Sequence, residues 1–186
     1  DVCSSYLSPA IRHIGKAIIP CNWLQIMENS VDPVHVEWLH GFYFEFVKNG
    51  VGEKVPFSKH HKKIAFDEFE YGIIKRRLLE GQDEATAEEW TVGHPLLFPN
   101  MLSVGTAGAK IGDGGGEWAQ YTFQIRVPRD DVSTLHFWFH AYVPSADMDV
   151  PRYLLDGAPV FDAPFRDKQG NFLTHLVHAQ DIMAWT

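Results

Sequence analysis

Cysteine is scarce in this chain: of 186 residues only Cys3 and Cys21 carry thiols. That is too few for a disulfide scaffold or a four-thiolate metal site, and it fits a reducing cytoplasm. Positive charge is also short. Sixteen lysines and arginines against 24 acids leave a net charge of −8, which argues against a partner bound through its phosphates and favours a small organic substrate or a protein. No apolar run approaches the roughly 20 residues of a membrane span, and Arg12, His13 and Lys16 break up the run that a secretory signal would need. Internal repeats and low-complexity tracts are absent. So are a Gly-x-Ser-x-Gly elbow and a Cys–His nucleophile pair, which leaves hydrolase chemistry without support. The stretch Gly112-Asp113-Gly114-Gly115-Gly116 lacks the Gly-Lys-Ser/Thr ending of a phosphate loop and reads as a hairpin turn.

What is present suits one folded unit. A hydrophobic content of 45% supports one sizeable core, and 15 glycines with 11 prolines point to many turns rather than a helical bundle. The chain starts at Asp1 and stops at Thr186 inside an apolar, helix-compatible stretch. It is therefore expected to be a single domain over residues 1–186, cut from a longer protein.

Local signals come in three blocks. Asn22 is a helix cap ahead of apolar Trp23, Ile26 and Met27, and Asp32 before Pro33 starts a second helical segment that ends near Gly41. After Gly50 the pattern turns to strands. These are expected at Lys63–Phe69, Tyr71–Leu78, Glu88–Val92, Pro95–Leu102, Glu117–Val127 and Thr134–Val143, where aromatic and β-branched residues are punctuated by Gly, Pro and Asp. The last stretch, Asn171–Thr186, is helical in character. Helix, antiparallel sheet, helix describes an α+β domain whose sheet wraps the helices.

Chemistry concentrates where the two early helices meet. Asp32-Pro33-Val34-His35-Val36-Glu37-Trp38-Leu39-His40 places an acid and two imidazoles close together, and imidazole is the commonest metal ligand. On an α-helix five residues leave His35 and His40 about 140° apart, so the two converge only if the helix bends or stops there. Ordinary polar residues at a helix boundary would look the same.

With Asn22-Trp-Leu-Gln, Glu28-Asn29, Gly41 and the late pair Gln180-Asp181, the element Asp32-x-x-His35-x-x-x-x-His40 resembles the catalytic domain of the Rieske non-haem iron aromatic-ring oxygenases, in the phthalate dioxygenase-like branch. Arg126-Val127-Pro128 with Asp130-Asp131 extends the likeness. The resemblance implies a helix-grip fold of START and Bet v 1 type, an antiparallel sheet around a C-terminal helix and a substrate cavity. It implies Fe(II) held by His35, His40 and Asp181, with Asp32 as the acid that bridges electrons from a neighbouring subunit's [2Fe–2S] cluster. Asn29 falls where the family has a polar residue near the iron. Implied partners are an aromatic substrate, dioxygen, and a reductase or ferredoxin passing electrons from NADH or NADPH. The expected assembly is a cytoplasmic ring of like subunits, such as a trimer. Hydroxylation, dihydroxylation and oxidative demethylation all remain open.

One departure is large. The family's Cys-x-His and Cys-x-x-His cluster motifs do not occur, so the cluster is expected on an N-terminal domain absent from this chain or on a separate chain. Other features have plainer readings. His136, Trp138 and His140 alternate onto one strand face without an acid, and His175 and His178 sit one helical turn before Asp181. The basic run Lys59–Lys63 reads as a solvated turn, with steering of an acidic partner as its functional alternative. A metal-free helix-grip carrier of small molecules or lipids is the rival reading of the whole chain, and a closed structural zinc site is the third.

Overall fold

A computed structural model describes residues 9–50, 59–104, 109–111, 118–145 and 148–186. Its strands are β1 (Ile11–Ile19), β2 (His61–Phe69), β3 (Gly72–Leu79), β4 (His94–Leu97), β5 (Met101–Ser103), β6 (Ala109–Ile111), β7 (Trp118–Asp130), β8 (Ser133–Pro144) and β9 (Val160–Asp162). They form one sheet in the order β2-β3-β4-β5-β7-β8-β1-β9, with β6 paired to β7 beside that path. The chain is thus an α+β protein. The sheet is mixed rather than wholly antiparallel, because β9 returns after the long β7–β8 hairpin and lies parallel to β1.

The helices are α1 (Trp23–Val31), α2 (Phe44–Asn49), the short turns α3 (Glu88–Thr91) and α4 (Arg152–Leu155), and α5 (Val177–Trp185). α1 begins as its sequence dictates: the Asn22 side chain accepts a hydrogen bond from the Leu24 N–H at 2.8 Å, while its amide donates to the Asp131 carbonyl. Its inner face buries Ile26, Met27 and Ser30. Ile26 joins Ala17, Ile19, Cys21, Trp138 and Ile182 of α5 in one core cluster, and Met27 joins Leu96 and Leu102 in a second. Arg126, fully buried on β7, donates to Ser30 Oγ and Gln124 Oε1, each at 2.6 Å, and so fastens α1 to the sheet. Burial depresses the Arg126 guanidinium to about 9, with the Asp181 carboxylate opposing. At the same C-terminal end of α1, the Ser30 carbonyl accepts from Lys75 Nζ of β3 at 2.9 Å, which satisfies one of the last-turn carbonyls.

Several expectations are corrected. Glu88–Thr91 is a helical turn, not a strand. It presents Glu89 to Arg77 at 2.7 Å, and its Trp90 and Thr91 carbonyls accept from Arg76. Gly93 ends it in the left-handed region, where a Cβ would lie 2.6 Å from Ile74. Pro95–Leu102 is two strands, since the chain reverses between β4 and β5 around Pro99. The final helix is shorter than Asn171–Thr186, and His175 lies ahead of it, exposed. The second early helix does not end near Gly41. It widens into a π-helical segment, Val36–Tyr43, and continues as α2. Cys3 and Gly112–Gly116 lie outside the described residues.

Candidate metal centre

The π-helical segment resolves the angular mismatch of the two histidines. A ladder of i→i+5 hydrogen bonds carries more residues per turn than an α-helix, so side chains five apart come round to one face, and such bulges recur at functional sites. His35 stands at its N-cap and His40 within it, with ring centroids 5.2 Å apart and planes at 81°. Asp32 starts the helix as expected. Its Oδ1 accepts from the Val34 N–H at 2.8 Å and its Oδ2 from the His35 N–H at 3.0 Å.

α5 delivers the third group. Asp181 Oδ1 lies 2.9 Å from His40 Nε2 and 3.9 Å from His35 Nε2, and the three potential ligand atoms all fall within 4.8 Å of one another. The outer ring nitrogens are both taken. His35 Nδ1 donates to the Asp32 carbonyl at 2.6 Å, and His40 Nδ1 donates to Gln180 Oε1 at 2.9 Å. Gln180 is fully buried, and its amide nitrogen donates to the Thr174 carbonyl at 2.7 Å, which sets its oxygen toward His40. A carbonyl oxygen only accepts, so each Nδ1 carries a proton, and each imidazole in its neutral form turns an Nε2 lone pair inward. Asp181 Oδ1 is buried without a hydrogen bond of acceptable angle, although His40 Nε2 is close to it. Distance without alignment is what two lone pairs aimed at a common point produce, so the residues present fit a divalent metal ion.

Burial pulls His35 down to about 4 against the attraction of Asp181. It pulls on His40 as well, but there the close Asp181 carboxylate, with Gln180, outweighs it and the net shift is upward. A cavity of about 260 Å³ opens beside the triad, lined in part by Asn29, Leu102, Val104, Gln124 and Trp185. Asn29 therefore reaches the space next to the three side chains. Among the described residues, His35, His40 and Asp181 are the one group of three or more such residues close enough to share an ion.

A profile for the vanillate O-demethylase oxygenase C-terminal domain matches residues 19–157. This chain belongs to that family. It is also 36% identical, over 175 residues, to the 5,5'-dehydrodivanillate O-demethylase oxygenase subunit of Sphingobium sp. (strain NBRC 103272 / SYK-6), an alignment covering 94% of this chain and 36% of that protein. Against the phthalate 4,5-dioxygenase oxygenase subunit of Pseudomonas putida it is 34% identical over 141 residues, 69% of this chain and 28% of that protein. The chain spans about a third of the length of these relatives. The resemblance to the phthalate dioxygenase-like branch is borne out.

Three of the other histidines are placed away from this group. His136 is fully buried and stacks on Trp138 at 4.2 Å, and His140 Nδ1 lies 3.1 Å from Thr122 Oγ1. His178 Nε2 donates to the Pro164 carbonyl. The basic run is more than a solvated turn, because His60 and His61 both clamp buried Glu37 of the π-helical segment, through Nδ1 at 2.6 and 2.8 Å. Sequence reading missed that cluster and the role of Gln180. Adjacency of Gln180 to Asp181 was the only signal for the latter. No helix among the described residues is long and apolar enough to cross a membrane.

Proposed function

We propose that this chain is the catalytic domain of a terminal oxygenase component that hydroxylates, dihydroxylates or oxidatively demethylates an aromatic substrate. His35, His40 and Asp181 hold a mononuclear Fe(II). The observation that carries the reading is the convergence of two Nε2 lone pairs and an unpartnered carboxylate oxygen at the edge of a cavity with room for a ring. With His35, His40 and Asp181 as its protein ligands, a bound Fe(II) would keep positions free for dioxygen and would supply its activation beside the substrate. The protein's own part is orientation and shelter. Gln180 and the Asp32 carbonyl hold the imidazoles in one tautomer, as the outer partners of metal-bound histidines do. Leu102, Val104 and Trp185 present apolar surface to the ring, and Asn29 offers it a polar contact.

Asp32 is the entry point for electrons. Its side chain is 43% exposed while its backbone carbonyl holds the His35 ring, so an imidazole docked on that carboxylate stands one residue away from a ligand. On this reading the donor is a [2Fe–2S] cluster on an N-terminal domain or another chain, fed from NADH or NADPH by a reductase or ferredoxin. The cluster of one subunit would serve its neighbour in a cytoplasmic trimer, and the sheet would grip α5 in the helix-grip manner.

The test is iron content after anaerobic loading with Fe(II) and gel filtration. We expect about one iron per chain for the native sequence and less than about a tenth of that for His35→Ala and Asp181→Ala. Iron unchanged in both variants sinks the ligand assignment and leaves the metal-free carrier as the better account.

A further inference from the structure

The sheet ends in two edges that are finished differently. β9, at one end, is three residues long, and shortness is one of the ways in which an edge avoids pairing with another chain. β2, at the other end, runs for nine residues without a proline, and among the described residues β3 is the one strand paired with it. In an antiparallel pair alternate residues turn their N–H and C=O groups away from the neighbour. The outer side of β2 therefore presents a row of open backbone groups, the template on which a further strand adds. Its break in register, between His61 and Lys63, lies at the start, and the stretch from Lys63 to Phe69 pairs regularly.

The side chains select the strand that fits. From Lys62 to Glu68 the order is Lys-Lys-Ile-Ala-Phe-Asp-Glu, which read in reverse exchanges every charge for its opposite and each apolar residue for another. Laid antiparallel on a copy of itself about Ala65, β2 brings Ile64 opposite Phe66, Lys63 opposite Asp67 and Lys62 opposite Glu68, each pair occurring twice. Ile64 and Phe66 share one face and are 38% and 52% exposed, so this register covers apolar surface that the single chain leaves in water. Lys62 and Glu68 are exposed and make no ion pair among the described residues, whereas Lys63 and Asp67 are bound to Glu84 and Arg76 of their own chain. Lys62 sits at the break in register, and a lysine has the length to reach Glu68 from there.

Opposite charges across two strands stabilise their pairing, and like charges oppose it. Parallel pairing in register would set lysine beside lysine. A slide of two residues in the antiparallel pairing puts an apolar side chain opposite a charge, Ile64 against Glu68 one way and Phe66 against Lys62 the other. Charges that only keep an edge soluble need carry one sign, but these carry both, in the order that one register neutralises. We propose that β2 is a self-docking edge, through which two copies of the chain join about a two-fold axis at Ala65 into one continuous sheet. The same patch serves both copies, so the contact closes on itself. It involves no metal and is independent of the oxygenase reading.

The test is sedimentation equilibrium of the full chain from about 1 µM to about 1 mM. We expect a monomer–dimer equilibrium for the native sequence, since one pair of strands makes a small, reversible interface. Lys62→Glu and Glu68→Lys should each weaken the dimer about 10-fold, because each replaces two opposite-charge pairs by two like-charge pairs. Mixing the two variants should restore native association, as both Lys62–Glu68 positions of the mixed dimer again hold opposite charges. Iron retention should stay native in both, which separates loss of the dimer from loss of the metal centre. Hydrogen exchange needs no variant: the Ile64 and Phe66 amides of the native chain should gain protection as concentration rises. A chain that is monomeric throughout the range, a dimer that both charge variants leave unchanged, a mixture no tighter than its parts, or exchange at Ile64 and Phe66 that ignores concentration overturns the contact.

Discussion

Two clusters flank the π-helical segment with the same ingredients, two histidines and a carboxylate, arranged in opposite ways. In the first, His35 and His40 spend their Nδ1–H groups on carbonyl oxygens and turn Nε2 toward Asp181. In the second, His60 and His61 turn Nδ1 straight at Glu37, one on each oxygen, and the His61 backbone N–H adds a third hydrogen bond at 2.9 Å. The Glu37 carboxylate is therefore consumed, whereas Asp181 Oδ1 has no aligned donor. Burial alone would raise Glu37, but the hydrogen bonds from His61 and His60 outweigh it and bring the group to about 2. The difference teaches that residue type does not make a ligand set. The partner of the far nitrogen does.

The sharpest way to break this comparison is to exchange the losses. Asp181→Ala should lower iron affinity by about 100-fold or more while Glu37→Ala leaves it within about twofold, measured by iron retention against a graded chelator. Equal losses in the two variants would erase the distinction. A smaller effect should follow from Gln180→Leu, which removes the acceptor of His40 Nδ1 without touching a proposed ligand atom. About 10-fold weaker iron retention is expected, with Gln180→Glu close to native in the same assay.

The fastening cluster should show itself in stability instead. Glu37→Ala leaves two imidazole donors without their acceptor and should cost about 2 kcal/mol in urea unfolding. Because Glu37 is depressed in the folded chain, its contribution is complete above the ordinary value of 4.5 and fades as pH falls toward about 2. Native and Glu37→Ala unfolding curves should converge across that window, and a gap that stays constant down to pH 2 would refute the assignment. The smallest effect belongs to the helix start. Asp32→Ala should cost about 1 kcal/mol of stability through the lost cap, and Asp32→Asn only a few tenths, since asparagine caps nearly as well. On the proposed electron path both variants should slow turnover with a reductase, so Asp32→Asn separates the two duties of one side chain.

Much of the frame was legible because its signals are local. Asn22 and Asp32 cap helices through hydrogen bonds spanning two or three residues, and β2, β3, β7 and β8 carry aromatic and β-branched runs that pair with their chain neighbours. The misses share a cause as well. β9 has three exposed residues and exists through its pairing with β1, some 145 positions earlier. Glu88–Thr91 carries strand-like Trp90 and Thr91 but is held as a turn by Arg76 and Arg77 of β3. The Lys59–Lys63 run looks like a solvated turn until Glu37 arrives between its two histidines.

Taken alone, the order of residues settled the kinds of group available, the places where helices begin, and the family to which the chain belongs. It could not settle whether His35 and His40 share a face, because an α-helix holds them apart and only the widened π-helical turn brings them round. Nor could it choose which nitrogen of each ring looks inward, since that depends on one carbonyl from the chain's own turn and another from Gln180 on α5. Ligation needs lone pairs aimed at a single point within a few ångströms. Aim is a property of packed elements, and for Asp181 it comes from α5 lying against the segment that carries His40.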